Sequence, residues 1–309
     1  MARNRERLGA HSPDPAPPAS MMQDDNSGGF SFVIPSEFVE LPSRGKYYPE
    51  GHPLHDAETI EIKHMTAKEE DLLTSRALLK KGIVLDRLLD SLIKDKRIKA
   101  EHLLIGDRNA ILVAARISGY GPEYSTTVTC PACGTNQEYN FDLHDIEAYS
   151  GDGVRDEDAV LNENGTYTTK LPRTGIEVTF RLLNGVDERQ YVRQLEDARK
   201  ARKEENAVTR QLRQIIVSVN GETSRQAIDY VVDNVPSLDA RHIRQVYNLA
   251  NPDLDMRQHF ACNSCDHEQE LEVPLTADFF WPDRCVHGER LRTVLLFKIF
   301  WWVVFFGSV

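Results

Sequence analysis

A chain of 309 residues with 28% charged and 40% hydrophobic residues has a globular composition and length for one large domain or two ordinary ones. Its formal net charge of −11 argues against non-specific binding to nucleic acid or anionic lipid. Five cysteines, an odd number, do not make a disulfide framework, and no apolar run follows the basic opening Met1–Arg5, so a reducing cytoplasm is expected.

Residues 1–29 are rich in Pro, Ser, Gly and Asp and too poor in apolar side chains to offset the entropy of ordering, which predicts a disordered arm. Leu41-Pro42-Ser43-Arg44-Gly45-Lys46-Tyr47-Tyr48-Pro49 reads as a turn in which Gly45 supplies a positive φ. Tyr47 and Tyr48 serve either that turn or a docking surface as aromatic anchors. Residues 58–62 alternate like a strand. Thr66-Ala67-Lys68-Glu69 is a capping box, and helical spacing runs on through Leu72, Leu73, Leu78 and Leu79. A second helix is expected over Val84–Ile93. A third opens at Asp107, read as its cap, and ends before Gly119.

Cys130-Pro131-Ala132-Cys133 then forms the first CxxC pair, between entering residues 125–128 and the leaving run Gln137–Leu143. Residues 145–185 read as β-rich. Asp187 to about Asn206 reads as a charged helix, whose mixed-sign run is better explained as a solvated face than as a binding patch. Further helices are expected at 207–218, 224–233 and 237–250. Cys262-Asn263-Ser264-Cys265 follows, between residues 258–260 and the run Gln269–Leu275.

Each CxxC pair offers two thiolates, and two pairs complete a closed four-thiolate shell, the usual holder of structural zinc. The expected ligands are Cys130, Cys133, Cys262 and Cys265, with Zn2+ as a structural ion. His259 and His267 lie beside the second pair, but four thiols leave no vacancy for them, and Cys285 reads as a bystander. In one ungapped register Cys130 falls on Cys262, Gln137-Glu138 on Gln269-Glu270, Asp107 on Asp239 and Ile111 on Ile243. Internal duplication of a helix, strand, CxxC, strand unit is one reading. Coincidence imposed by the CxxC turns is the other.

The fold class expected is therefore α+β, a helical body with a discontinuous zinc ribbon made of two knuckles. Its parts are the arm 1–29, a half at 30–144 with the first knuckle, a β-rich then helical insertion at 145–261, the second knuckle and closing strands at 262–284, and an apolar tail at 285–309. The run Val294–Phe306 is shorter than the ~20 residues of a spanning helix, and Lys298 interrupts it. It reads as a membrane-contacting tail, as a segment buried against a partner, or as the product of a frame change after an older stop near Pro282.

Leu41–Tyr48, the strand at 58–62, the helix start Met65–Asp71, the two CxxC pairs and Pro274–Pro282 together resemble the T4-type phage baseplate protein family, over roughly residues 30–282. The resemblance implies a hub subunit or hub-assembly protein of a contractile tail. It would act without catalysis, in the host cytoplasm during assembly and in the virion if retained, with other baseplate and hub proteins as partners. The alternative is a nucleic-acid-binding zinc ribbon. The acidic flanks Glu138, Asp142, Asp145, Glu147, Asp266, Glu268, Glu270 and Glu272 count against it. A zinc deaminase needs H-x-E upstream of its cysteines, whereas His287-Gly288-Glu289 lies downstream of both pairs.

Overall fold

The structure is a computed structural model that describes residues 33–200, 206–273 and 279–280. The arm 1–29, the apolar tail 285–309 and Cys285 lie outside the described residues. The described residues from Ser36 onward pack as one unit. Among the described residues it holds eight α-helices and twelve strands in small antiparallel sheets.

The chain opens with β1 (Ser36–Glu40) paired to β2 (Thr59–Lys63), with Ser36 opposite Lys63 and Glu40 opposite Thr59. Helices α1 (Ala67–Thr74), α2 (Arg76–Lys81) and α3 (Val84–Leu92) follow. The capping box forms as the sequence predicts: Glu69 Oε2 accepts from the Thr66 backbone N–H at 3.0 Å. The helical spacing through Leu79 is broken, however. Ser75 is extended, and the Thr74 hydroxyl donates to the carbonyl of Glu70, so the two leucine pairs belong to separate helices. In α3, Val84, Leu85, Leu88, Leu89 and Leu92 make one apolar stripe and all are buried. The next residue, Ile93, leaves the helix and bridges Ile62 of β2.

Helix α4 (Ile105–Tyr120) runs through the interior, its first nine residues all buried. Its Arg108 is buried and is neutralised by Asp86 at 2.7 Å, while its Nη1 donates to the Ala100 carbonyl. Strands β3 (Glu123–Thr129) and β4 (Asn136–Asp142) form the hairpin that carries the first CxxC. A connecting stretch holds β5 (Glu147–Tyr149) and β6 (Val160–Leu161).

The second half repeats this order. Strands β7 (Thr166–Lys170) and β8 (Glu177–Arg181) pair with Thr166 opposite Arg181 and Lys170 opposite Glu177, the register of β1 with β2. Then come α5 (Gly185–Lys200), α6 (Ala207–Ile215) and β9 (Ile216–Val219), whose Ile216 lies opposite Phe180 as Ile93 lies opposite Ile62. The expected helix 207–218 therefore ends early. Ile215, Ile216 and Val217 are β-branched, and the chain gains more as a sheet strand beside β8 than as another helical turn. Helices α7 (Arg225–Asn234) and α8 (Ser237–Ala250), a short β10 (Asp253–Asp255) paired to β5, and the hairpin β11 (Arg257–Ala261) with β12 (Glu268–Glu272) complete the fold.

Polar contacts repeat with the elements. Lys63 pairs with Glu69 at 2.8 Å, and Arg181 pairs with Asp187 at 2.6 Å. Asp187 also accepts from the Asn184 backbone N–H at 3.0 Å, as Glu69 does from Thr66. Both β1 and β7 run into a Leu-Pro-x-x-Gly turn, at Leu41–Gly45 and Leu171–Gly175. Asp107 and Asp239 are not N-caps, since those positions belong to Leu104 and Pro236. Their buried carboxylates instead grip the two turns. Asp107 accepts from the Ser43 backbone N–H, the Ser43 hydroxyl and the Tyr48 hydroxyl at 3.0, 2.7 and 2.6 Å. Asp239 accepts from the backbone N–H groups of Arg173 and Thr174 and from the Thr174 hydroxyl, at 2.8, 3.0 and 2.8 Å. Tyr48 is thereby committed to the interior, and the Tyr47 hydroxyl bonds that of Tyr167 at 2.9 Å, so the chain's own packing accounts for both tyrosines.

Candidate metal centre

Two tight turns build the centre. In the first, the Cys130 backbone N–H donates to the Thr135 carbonyl at 2.9 Å. In the second, the Cys262 backbone N–H donates to the His267 carbonyl at the same distance. One residue before each closing carbonyl, Gly134 and Asp266 take positive φ, +72° and +51°. The left-handed residue turns the chain back so that both thiols of a pair leave the hairpin tip on one side.

The tips face each other. The Cys130 and Cys265 sulfurs are 3.8 Å apart, as are those of Cys133 and Cys262. All four lie within 4.8 Å of one another. A tetrahedron of thiolates about 2.3 Å from a central Zn2+ has edges of about 3.8 Å. The donor set and its size therefore fit a four-thiolate metal site. Cys130 and Cys262 are buried, and Cys133 and Cys265 are exposed, so the site has an inner and an outer edge.

Contacts across the pair of hairpins hold the sulfurs in place. Gln137 donates through Nε2 to the Ala261 carbonyl and accepts at Oε1 from the Asn263 backbone N–H, at 3.1 and 2.9 Å. The Tyr139 hydroxyl donates to the His259 carbonyl, and the Tyr139 ring packs 5.1 Å from that of Phe260. These contacts cross between the two hairpins beside the sulfurs. Hydrogen bonding with Thr135, through its side chain and its backbone, holds the Cys133 thiol down at about 6. A backbone bond from His267 lowers that of Cys265, but contact with Cys133, burial and the other two sulfurs push it up to about 12. Four sulfurs this close do not all ionise near neutral pH unless a cation offsets their charge.

Neither His259 nor His267 joins the cluster. The His267 ring bonds Gln269 at 2.9 Å, two residues along the same hairpin. The acidic flanks Glu138, Asp142, Asp145, Glu147, Asp266, Glu268 and Glu270 are all exposed, and Asp142 lies at the base of its hairpin, far from the sulfurs, which gives no support to a nucleic-acid interface. The aspartates that grip the turns were missed by sequence reasoning as turn-holders. Their signal was available in the recurrence of Leu-Pro-x-x-Gly ahead of each.

Fold and site define a class: a mixed helix-and-strand scaffold whose two similar halves each give two cysteines to one closed cluster. The chain belongs to the T4 bacteriophage base plate protein family, whose family model matches residues 35–281, and so is a structural component of a phage baseplate. Among curated proteins and among solved structures, none matches the chain. No helix among the described residues is long and apolar enough to cross a membrane.

Proposed function

We propose that this protein is a non-catalytic subunit or assembly factor of the hub of a contractile-tail baseplate, stapled by one structural zinc ion. Family membership supports the baseplate role. The single observation that carries the staple is the meeting of four sulfurs from knuckles far apart in the chain. Zinc held there by Cys130, Cys133, Cys262 and Cys265 joins the end of each half to the other, so binding the ion and folding are coupled. A closed thiolate shell leaves no coordination position for a substrate, which fits a scaffold. The tandem halves are read as a duplicated unit, and the two knuckles as one discontinuous zinc ribbon. The acidic surface suits partners with basic patches. Assembly takes place in the host cytoplasm.

Quantitative mass spectrometry of purified particles tests the role. Stoichiometric peptides make the chain a retained hub subunit. Presence in infected-cell extracts and absence from particles makes it an assembly factor.

A further inference from the structure

The two halves differ in one respect that bears on partners. Strand β7 is paired on both sides. Its inner neighbour is β8, and its outer neighbour is β6, with Val160 opposite Thr168 and Leu161 opposite Tyr167. The stretch that leads into β6 covers the ground between β7 and α8. Ala159 is buried there, and the Asp158 carbonyl accepts from the Thr169 hydroxyl at 2.7 Å, which in turn meets the His242 ring at 2.9 Å. Strand β1 has only β2. Among the described residues nothing pairs with its outer edge.

Beside that edge lies a groove of about 550 Å³ between β1, α4 and the stretch 143–148, with Val39, Ala110, Val113, Ala114 and Ile117 on its floor and His144 and Ile146 on its far wall. It occupies the place that residues 158–161 fill in the other half. Phe38, which stands where Thr168 does, is 72% exposed. Glu37 turns into the groove with its Oε1 buried and, among the described residues, without a hydrogen-bond partner, and Glu40 lines the groove as well. A strand edge unpaired among the described residues, an apolar floor and a buried carboxylate oxygen without a partner there make a receptor for an added strand.

We infer that an extended segment of a neighbouring baseplate subunit adds to the outer edge of β1, laying apolar side chains on Phe38 and the groove floor and a Lys or Arg on Glu37. This rests on the baseplate reading. Sequence favours another chain as the donor. In the second half, β6 reaches β7 through the turn Asn162-Glu163-Asn164-Gly165, in which Gly165 has a φ of +75° and its N–H donates to the Asn162 carbonyl. The equivalent residues ahead of β1 are Phe32-Val33-Ile34-Pro35, a sequence with two β-branched residues and a proline and none of the Asn or Gly that suit such a turn. Charge agrees: two glutamates at the groove in a chain of net charge −11 repel a second copy and favour a basic segment.

The test compares full-length wild type with Phe38→Glu and Glu37→Lys in phage production, reading three quantities: melting and metal content of each purified chain, its abundance in purified baseplates, and hydrogen exchange of the β1 amides in free chain and in baseplates. Phe38 is exposed, so Phe38→Glu should melt as wild type does. The inference expects both variants to fall by about tenfold or more in baseplates, and the β1 amides to exchange freely in the free chain and slowly in baseplates. Wild-type abundance of both variants overturns it while leaving the baseplate reading intact. So does protection of β1 already present in the free chain. If deletion of residues 1–32 abolishes that protection, the chain's own arm is the occupant. If it vanishes on dilution, a second copy is. Absence of the wild-type chain from baseplates overturns the hub-subunit reading and this inference with it.

Discussion

Asp239 does for the turn after β7 what Asp107 does for the turn after β1: each lies in the first turn of its helix and accepts three hydrogen bonds, Asp239 all three from its Leu-Pro-x-x-Gly loop, Asp107 two from its loop and one from the Tyr48 hydroxyl just beyond it. The strength of the two grips differs with the donors. Burial raises the pKa of Asp107 against the bonds from Tyr48 and Ser43. Burial raises that of Asp239 too, but the backbone N–H groups of Arg173 and Thr174 and the Thr174 hydroxyl outweigh it and the net direction is down.

The signs make a prediction. The stabilising effect of Asp239 is full above its unfolded pKa and is lost as pH falls through the folded value. That of Asp107 is full when the group is protonated and is lost as pH rises from its unfolded pKa through the folded one. Asp239→Asn should cost about 2 kcal/mol at pH 7 and Asp107→Asn about 1 kcal/mol, since the amide keeps one acceptor and removes an unfavourable buried charge. Urea unfolding at pH 7 decides it, and the reverse order of costs would contradict the assignment.

If one zinc ion joins the knuckles, elemental analysis of purified protein should give one zinc per chain. Cys130→Ser and Cys262→Ser should lose that zinc equally and drop in melting temperature together, although the two residues lie in different halves. Each loss should exceed about 3 kcal/mol, because the metal's binding energy is folding energy. A single variant that retains its zinc and melts as wild type does rules out a shared ion.

Much of this was legible in the sequence, for physical reasons that can be named. The capping box at Thr66, the stripe from Val84 to Leu92 and the helix Ser237–Ala250 depend on local spacing, which the chain carries in its own order. The CxxC pairs announce a chemistry whose geometry is narrow. What was hidden is non-local. That Ile93 and Ile216 leave their helices to join β2 and β8 depends on partners many residues away, as does the grip of Asp107 on Ser43. An aspartate at a helix start looks like a cap until the turn it holds is seen.

Gly45 tests how tightly the first of those turns is packed. Its φ is +74°, and a Cβ there would sit 2.3 Å from the Ala57 backbone N and 2.4 Å from the Leu54 carbonyl O. Gly121 has a φ of +85° with nothing within 4 Å of its would-be Cβ. Gly121, at φ +85° and ψ 167°, lies in a region that side chains rarely enter, so Gly121→Ala should cost only that backbone term, about 1–3 kcal/mol, while Gly45→Ala adds a clash with two backbone atoms and should cost about 2 kcal/mol more. Thermal melts of the two variants separate the effects. Equal costs would mean that the loop at 45–57 yields freely.

Glu272 carries the clearest pH signature. Burial, then the charges of Asp253 and Asp255, push its pKa up to about 7 against the pull of Arg257, and its Oε1 is buried and has no hydrogen-bond partner among the described residues. Its folded pKa exceeds the unfolded one, so the folded state binds the extra proton. Its contribution to stability is greatest below about pH 4 and falls as pH rises to about 7, after which the full penalty of a partly buried charge remains. Glu272→Gln removes the penalty. After allowance for solvent screening at a side chain that is not fully enclosed, the gain should be about 1 kcal/mol at pH 8 and shrink toward zero by pH 5. Loss of metal in acid affects both proteins alike, so the difference between their melting temperatures isolates this one group. A difference that stays constant from pH 8 to pH 5 would show that Glu272 does not titrate in that window.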